Sequence, residues 1–270
     1  MSEIISDGTS DDVVSTVTDK VATIRLNRPK KLNAFTDEMI TAWVELLEEY
    51  RTRDDVNVIV ITGTGRAFST GGDVGKFSQY ASHTAAGIKA RLTENVQRLA
   101  VKMQDVDKPV IAAVNGLATG GGVDIALMCD LRFAARSAKF SETYVKMGLI
   151  PGAGGAYYLP RIVGVAKALE LFWSGDAINA EEALRIGLVN RVFDDERLAE
   201  ETQAFASKLA RGAPLAVKLV KRIMYRGLET DLRGALDLVA SNMPVVRMSE
   251  DHQEAVAAFR EKREPKFSGK

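Results

Sequence analysis

The sequence predicts an α/β protein that folds as a spiral of strand–strand–helix turns and ends in a helical region. Two observations support this fold class. Short apolar strands alternate with helices along about two thirds of the chain, and no short-period repeat interrupts that order. Beyond about residue 160 the pattern is almost wholly helical. Such an alternation is typical of α/β domains.

The first elements follow from periodicity and end signals. Residues 21–29 alternate apolar and polar side chains and stop at a proline, which predicts a strand. Residues 36–53 begin with the N-cap candidate Thr36 and carry apolar side chains at helical spacing, which predicts a helix. Residues 56–63 form a β-branched run that ends in glycine, which predicts a buried strand. Trp43 and Trp173 are predicted to be core residues of helices.

The remaining elements alternate in the same way. In order, the sequence predicts a polar loop over 64–86, an amphipathic helix over 86–104, a strand over 108–116, a short buried helix after residues 120–122, a strand over 131–136, a helical segment over 141–149 and a glycine-rich turn over 151–156. The spiral is predicted to occupy residues 1–200, and a helical region is predicted for residues 201–270.

Composition favours an ordinary soluble protein. Of 270 residues, 46% are hydrophobic and 27% are charged, and 36 basic side chains balance 36 acidic ones. That balance disfavours nucleic acid or a membrane surface as a partner. The single cysteine, Cys129, excludes an intramolecular disulfide and is predicted to be buried core. The start of the chain lacks the basic and apolar regions of a secretory signal, so we expect a cytoplasmic protein.

Nucleotide and metal sites are not predicted. The strand before residue 64 ends in Gly-x-Gly, but Phe68 takes the place of the third glycine of a dinucleotide fingerprint. The segment TGGDVGKF has Thr70 and Phe77 where a phosphate loop needs glycine and a hydroxyl residue. The histidines, His83 and His252, are far apart and lack nearby ligand partners, and His83 is predicted to be solvated.

Two glycine-bearing segments each follow a predicted strand, at 66–74 and 115–124. Glycine in an apolar stretch costs backbone entropy, so it indicates that something approaches the backbone closely. Asp124 lies in the first turn of the helix that follows the second segment, at the positive end of the helix dipole. Two backbone N–H groups from two loops can stabilise charge on a carbonyl oxygen. The alternative is a pair of tight turns without function.

Several segments of the chain resemble the enoyl-CoA hydratase/isomerase (crotonase) superfamily. They are LNRPKKLNAF, RAFSTGGDV, DKPVIAAVNGLATGGGVDIALMCD, KMGLIPGAGGAYYLPRIVG and EEALRIGLVNRVF, in matching order from about residue 13 to the end. The resemblance implies a spiral of ββα turns and a helical C-terminal region that builds trimers, commonly paired into hexamers. It also implies binding of acyl-CoA thioesters, with the N–H groups of Gly72 and Gly121 stabilising the thioester enolate.

The same resemblance implies the remaining site residues. The predicted substrate-binding set is Lys31, Gly71, Gly72, Asp73, Val74, Gly75 and Gly121. Lys30 and Lys76 are further candidates for contacts with CoA phosphates. No cofactor is expected beyond the coenzyme A of the substrate, and no metal. Residues 213–243 have long apolar faces, consistent with subunit contacts in a homotrimer or homohexamer.

The catalytic positions depart from the family pattern. Typical hydratases of the family carry two glutamates; the first corresponds here to Asp124 and the second to Tyr144. A phenol has an ordinary pKa of about 10, so it donates a proton more readily than it abstracts one. Glu142 is two residues away on a predicted helix, so we expect it to face away from Tyr144. Gly152 and Ala153 occupy the turn in which some family isomerases have an acid.

Three hypotheses remain open on the sequence. The first is a hydratase or isomerase of an enoyl-CoA, a lyase or isomerase in which Asp124 is the single acid/base and Tyr144 assists. The second is a hydrolase of a thioester or a β-diketone, with Asp124 activating water. The third is an acyl-CoA-binding protein without turnover. Asp124 and both glycine donors are present, which argues against the third.

Overall fold

Ten strands, eleven α-helices and three short 3-10 helices make up the described part of the fold in the computed structural model, which describes residues 11–75 and 84–270. The strands are β1 (Val13–Thr18), β2 (Val21–Leu26), β3 (Val58–Gly63), β4 (Ala67–Ser69), β5 (Val110–Val114), β6 (Leu117–Thr119), β7 (Leu131–Ala135), β8 (Lys139–Ser141), β9 (Ile178–Asn179) and β10 (Arg191–Phe193). The helices are α1 (Asp37–Thr52), α2 (Ala85–Glu94), α3 (Val96–Asp105), α4 (Gly121–Met128), α5 (Gly155–Val163), α6 (Val165–Ser174), α7 (Ala180–Arg185), α8 (Leu198–Ala210), α9 (Pro214–Gly227), α10 (Leu232–Arg247) and α11 (Glu250–Glu261).

Two sheets organise these elements into the predicted spiral. The six-stranded sheet has the order β1-β2-β3-β5-β7-β10, and the four-stranded sheet has the order β4-β6-β8-β9. Along the chain, each turn places one strand in the large sheet, the next in the small sheet, and then a helix: β3, β4 and α2–α3; β5, β6 and α4; β7, β8 and α5. The predicted ββα spiral is therefore confirmed.

The large sheet is parallel from β2 to β10, with only the β1–β2 pair antiparallel. Every residue of β3 and β5 is buried. This burial on both faces explains why these strands read as continuous β-branched or apolar runs rather than as alternating ones. The four predicted strands of this sheet are confirmed, each shorter at its ends than the sequence pattern suggested.

Helix boundaries follow local signals. The side chain of Thr36 accepts a hydrogen bond from the N–H of Met39, so the predicted N-cap of α1 is confirmed. The single helix predicted over 86–104 is two helices, because Asn95 has φ −123° and ψ −100° and breaks the helical path. The loop predicted over 64–86 contains the short strand β4.

The tryptophan prediction is half wrong. Trp43 is fully buried in α1, as predicted, whereas Trp173 is 71% exposed on α6. Val165, Leu169 and Trp173 lie four residues apart and share one exposed face of α6. Helical spacing identified an apolar face correctly, but it could not tell whether that face covers the chain's own core.

The C-terminal helices differ in how they contact the sheets. Helix α8 packs against β2, β3, β5 and β7 of the large sheet, so the predicted boundary at residue 200 falls within a helix that covers that sheet. Helices α9 and α10 pack against each other, and α11 contacts α10. The division of the chain at that residue stays a prediction. Across the described ranges, no helix combines the length and apolarity needed to cross a membrane.

Candidate active site

The two glycine segments meet at one edge of the small sheet. Strands β4 and β6 are parallel neighbours, so the segments that follow them leave the sheet side by side. A Cβ atom built on Gly71 would lie 3.0 Å from the nitrogen of Gly121 and 3.2 Å from the carbonyl oxygen of Thr119. Gly71 also has φ +84°, a conformation that favours glycine. The two glycine segments therefore lie in contact with each other.

The two predicted amide donors are the N–H groups of Gly72 and Gly121. Gly121 is the first residue of α4, where a backbone N–H has no partner within the helix. Gly72 forms an isolated bridge with Phe35 that uses the neighbouring peptide groups rather than its own N–H. Within residues 11–75 and 84–270 neither N–H donates a hydrogen bond. Both are therefore available to a ligand.

Asp124 projects from the first turn of α4 and is fully buried. Its Oδ2 accepts a hydrogen bond from the hydroxyl of Tyr144 over 2.6 Å and one from the N–H of Ala153 over 3.3 Å. Its Oδ1 has no hydrogen-bond partner among the described residues. The structure thus brings together the two predicted catalytic side chains and places Oδ1 against Gly155, whose N–H also favours the charged form.

The glycine-rich turn makes room for this carboxylate. A Cβ atom on Gly155 would lie within 3.0 Å of both Oδ1 and the carboxyl carbon of Asp124, a separation that real Cβ atoms essentially never show. Gly154, just before it, has φ +119° and turns the chain into α5. The turn therefore serves the site through the space it leaves and through the Ala153 N–H, although it carries no acid.

Burial shifts the pKa values of both Asp124 and Tyr144. Removal from water raises the pKa of Asp124, against the hydrogen bonds from Tyr144 and from backbone N–H groups, which favour the charged form. Burial and the neighbouring Asp124 charge raise the pKa of Tyr144 well above its ordinary value. The phenol therefore stays protonated and donates to the carboxylate, which suits Asp124 as the group that exchanges protons near neutral pH.

Glu142 lies where the sequence did not predict it. The chain is a strand up to Ser141, and a 3-10 helix begins only at Thr143. Strand alternation therefore places Glu142 on the buried face with Phe140, and it is 2% exposed. Both of its carboxyl oxygens lack partners among the described residues. Burial, and then the Asp124 charge, raise the pKa of Glu142, which favours its neutral form.

The other predicted binding residues surround the first glycine segment. Lys31 is exposed and lies next to Leu32, whose carbonyl accepts a hydrogen bond from the N–H of Thr70. Val74 and Gly75 are exposed beyond the glycines. These positions are compatible with a groove leading to the two amides, and their roles stay predictions.

The carboxylate of Asp73 is not free for a ligand. Its Oδ2 pairs with the guanidinium of Arg28 over 3.2 Å, and its Oδ1 accepts the N–H of Gly75 over 3.1 Å. Two further candidates named from the sequence, Lys76 and His83, lie outside the described residues.

Sequence reasoning missed Arg28 and Asn33 as contributors to this region. Asn33 is fully buried, and its side chain donates to the carbonyl oxygens of Thr64 and Ala67. Both residues were visible within the segment LNRPKKLNAF, but their partners lie more than thirty residues away in sequence. The sequence offered no signal for these contacts, because the burial of a polar side chain is seen only once the chain is folded.

The described residues contain no candidate metal site. No group of three His, Cys, Asp or Glu side chains there is arranged to hold an ion. Cys129 is buried, as predicted, and burial raises the pKa of its thiol to about 12, which does not suit a nucleophile.

Comparison with known proteins agrees with this geometry. The family profile described as enoyl-CoA hydratase/isomerase matches residues 16–270. Crotonyl-CoA hydratase of Syntrophomonas wolfei is 38% identical over 253 residues, which cover 93% of this chain and 96% of that protein. The 1,2-epoxyphenylacetyl-CoA isomerase of Escherichia coli is 36% identical over 258 residues, covering 96% and 98%.

A solved structure supports the same assignment. The crystal structure of an enoyl-CoA hydratase from Bacillus anthracis superposes with a TM-score of 0.90 at 32% identity, over 96% of this chain and 100% of that one. The ββα spiral, the two adjacent glycine segments and the sequence similarity over nearly the whole chain all indicate the same family. The chain belongs to the enoyl-CoA hydratase/isomerase family of acyl-CoA-processing enzymes.

Proposed function

We propose that the protein binds the thioester carbonyl of an enoyl-CoA between the N–H groups of Gly72 and Gly121 and that Asp124 moves a proton on the bound acyl chain. The observation that supports this most strongly is the buried Asp124 carboxylate, which accepts the Tyr144 hydroxyl and lies one turn of helix from the Gly121 amide. Two aimed donors stabilise the enolate, each typically contributing about 2.7–4 kcal/mol to lowering the barrier.

Isomerisation of the double bond is the first reaction to test. A single base can take a proton from one carbon and return it to another, so isomerisation needs one acid/base group. Hydration by two carboxylates needs a second group facing the substrate, but the Tyr144 hydroxyl donates to Asp124. Hydration with Asp124 alone is the second candidate, because crotonyl-CoA hydratase of Syntrophomonas wolfei is 38% identical.

The proposed reaction uses no cofactor other than the coenzyme A of its substrate. The experiment that tests it is incubation with 2-enoyl, 3-enoyl, cyclic and β-keto acyl-CoAs. Isomerisation is scored by chromatography and ultraviolet absorbance, hydration by mass, and hydrolysis by release of free thiol. Conversion of 3-enoyl to 2-enoyl thioesters supports the first candidate. Release of thiol would instead make the protein a hydrolase, and binding without turnover would make it an acyl-CoA-binding protein.

Association of copies is a further part of this proposal. Helices α9 and α10 expose large apolar side chains, among them Met224, Leu228, Leu232 and Leu236. A surface of this kind is unusual for a monomer in water. The predicted homotrimer or homohexamer accounts for it, and the cytoplasmic location stays a prediction.

A further inference from the structure

The peptide unit that joins Gly71 to Gly72 carries the first of the two amide donors. Its carbonyl oxygen accepts a hydrogen bond from the N–H of Phe35 over 2.8 Å, and the next N–H, that of Asp73, donates to the Phe35 carbonyl over 3.0 Å. The peptide is trans and planar, so its C=O and N–H point in opposite directions. Holding the Gly71 oxygen on Phe35 therefore aims the Gly72 N–H away from Phe35.

The same logic applies one peptide unit further back. The Phe35 N–H belongs to the peptide unit whose carbonyl oxygen is that of Ala34. That oxygen accepts a hydrogen bond from Nη1 of Arg28 over 2.7 Å. The guanidinium, the Ala34–Phe35 peptide and the Gly71–Gly72 peptide thus form one continuous chain of hydrogen bonds that ends at the free Gly72 N–H.

The charge at the head of this chain is fixed in place. Nη1 and Nη2 of Arg28 both lie 3.2 Å from Oδ2 of Asp73, and Nε lies 3.3 Å from a carboxylate oxygen of Asp12. The Arg28 side chain is only 17% exposed. A part-buried guanidinium with this many charge-assisted partners is held in a fixed position and orientation.

The segment between Arg28 and Phe35 is held in a conformation that costs free energy. Leu32 and Asn33 have φ of +51° and +55°, in the left-handed region that side chains with a Cβ seldom adopt. Oδ1 of Asn33 accepts a hydrogen bond from the Arg28 N–H, and the backbone carbonyl oxygen of Asn33 accepts one from the hydroxyl of Ser69. Such backbone strain persists only where the surroundings over-determine it, which indicates that the position of this segment matters.

A cation on the carbonyl of one peptide makes its N–H a stronger donor to the next, and such polarisation propagates along a chain of hydrogen bonds. We propose that Arg28 is a positioning residue that aims and polarises the Gly72 N–H through the Ala34–Phe35 and Gly71–Gly72 peptides. This inference rests on the proposed function, because it assigns the Gly72 amide to the thioester oxygen. Arg28 itself does not touch the substrate.

The test compares wild type with Arg28→Gln and Arg28→Lys, using butanoyl-CoA with carbon-13 at the thioester carbonyl. Infrared difference spectra report the carbonyl stretching frequency in the complex, and kcat and KM come from the best substrate of the acyl-CoA panel. We expect binding to wild type to lower the frequency. Arg28→Gln should lose most of that shift and about 10- to 100-fold in kcat, with little change in KM. Arg28→Lys keeps the charge and should recover part of both.

Lys221→Gln is the matched control. The Lys221–Asp130 pair spans 2.7 Å and its side chains are 13% and 18% exposed, close to the 17% and 16% of Arg28 and Asp73. This pair ties α9 to the start of β5 and contacts neither glycine segment. We expect Lys221→Gln to lower the melting temperature without changing the carbonyl frequency or kcat.

Three results would overturn the inference. If Arg28→Gln lowers only the melting temperature, as Lys221→Gln does, the ion pair is merely structural. If wild type binds the thioester without any shift of its carbonyl frequency, the proposed function fails and this inference with it. Should Arg28→Gln not fold, Arg28→Lys decides alone. A lysine ammonium cannot contact Ala34 and Asp73 at once as the planar guanidinium does, so binding to Arg28→Lys should shift the carbonyl frequency less than binding to wild type. An unchanged shift would contradict the inference.

Discussion

At the scale of single residues, the site holds two buried acids, Asp124 and Glu142, in different electrostatic surroundings. Asp124 accepts hydrogen bonds that favour its charged form, whereas Glu142 has no such partners among the described residues. Tyr144 holds its proton and directs it to Asp124. These surroundings favour the charged form of Asp124 more than that of Glu142, and the burial of Glu142 was not predicted from the sequence. The role of Asp124 in proton transfer stays a prediction.

Tyr144→Phe tests how the phenol affects Asp124. Loss of the hydroxyl removes a hydrogen bond that favours the carboxylate, so the pKa of Asp124 should rise further. With Asp124 acting as a base, the acid limb of the kcat/KM profile should move to higher pH, and kcat should fall about tenfold. Tyr158→Phe, on a ring that packs against Tyr157, is the control. A loss larger than that of Asp124→Asn would make the phenol the proton donor instead.

Glu142→Gln tests the buried neutral acid. Because its pKa is raised on folding, Glu142 contributes stability that is complete below its ordinary pKa and is lost as pH rises toward the folded value. The free energy of unfolding of wild type should therefore fall by up to about 1.4 kcal/mol per pH unit relative to Glu142→Gln above that ordinary pKa. Urea unfolding at several pH values measures this slope, and equal slopes for both proteins would refute the assignment.

At the scale of elements, the glycine-rich turn before α5 shapes the carboxylate's surroundings. Gly155→Ala places a Cβ within 3.0 Å of Asp124 Oδ1, so the carboxylate must move. We expect a loss of about 10²-fold in kcat with the helix intact, since displacements of this size at a reacting group have that effect. Gly227→Ala, whose Cβ would meet Ala235 at 3.7 Å, is the matched control and should be neutral. Wild-type kcat in Gly155→Ala would place the reacting group elsewhere.

Elements with strong periodicity were predictable, and short ones were not. Helix α1 was predictable from its apolar spacing and its N-cap, and the central strands β3 and β5 from their continuous apolar runs. Strand β4 has three residues, too few to show an alternation of apolar and polar side chains, so the sequence predicts a loop there. Glu142 was misplaced because helical rotation was assumed one residue before the 3-10 helix starts.

Long-range polar contacts were beyond the sequence patterns. Arg28 reaches Asp73 across forty-five positions in sequence, and no local signal specifies that pair. The two glycine segments, by contrast, could be paired because each follows a strand, and parallel neighbouring strands deliver their ends to the same edge.

At the scale of the whole molecule, exposed apolar faces predict association. Leu232→Glu and Leu236→Glu place charges on the exposed face of α10, where both leucines are more than half exposed. We expect wild type to elute as a trimer or hexamer by light scattering and the double variant to dissociate, because a buried charge opposes the contact. A wild-type monomer at working concentration would contradict the predicted assembly.

In the proposed reaction, Asp124 alone moves the proton on a thioester held by the Gly72 and Gly121 amides. The most direct measurement is kcat of Asp124→Asn with the best enoyl-CoA, together with calorimetric binding of the same thioester. Asparagine keeps the size of the side chain but cannot exchange a proton, so kcat should fall about 10²–10⁴-fold while binding stays within a few-fold. Near-wild-type turnover by Asp124→Asn would contradict the claim.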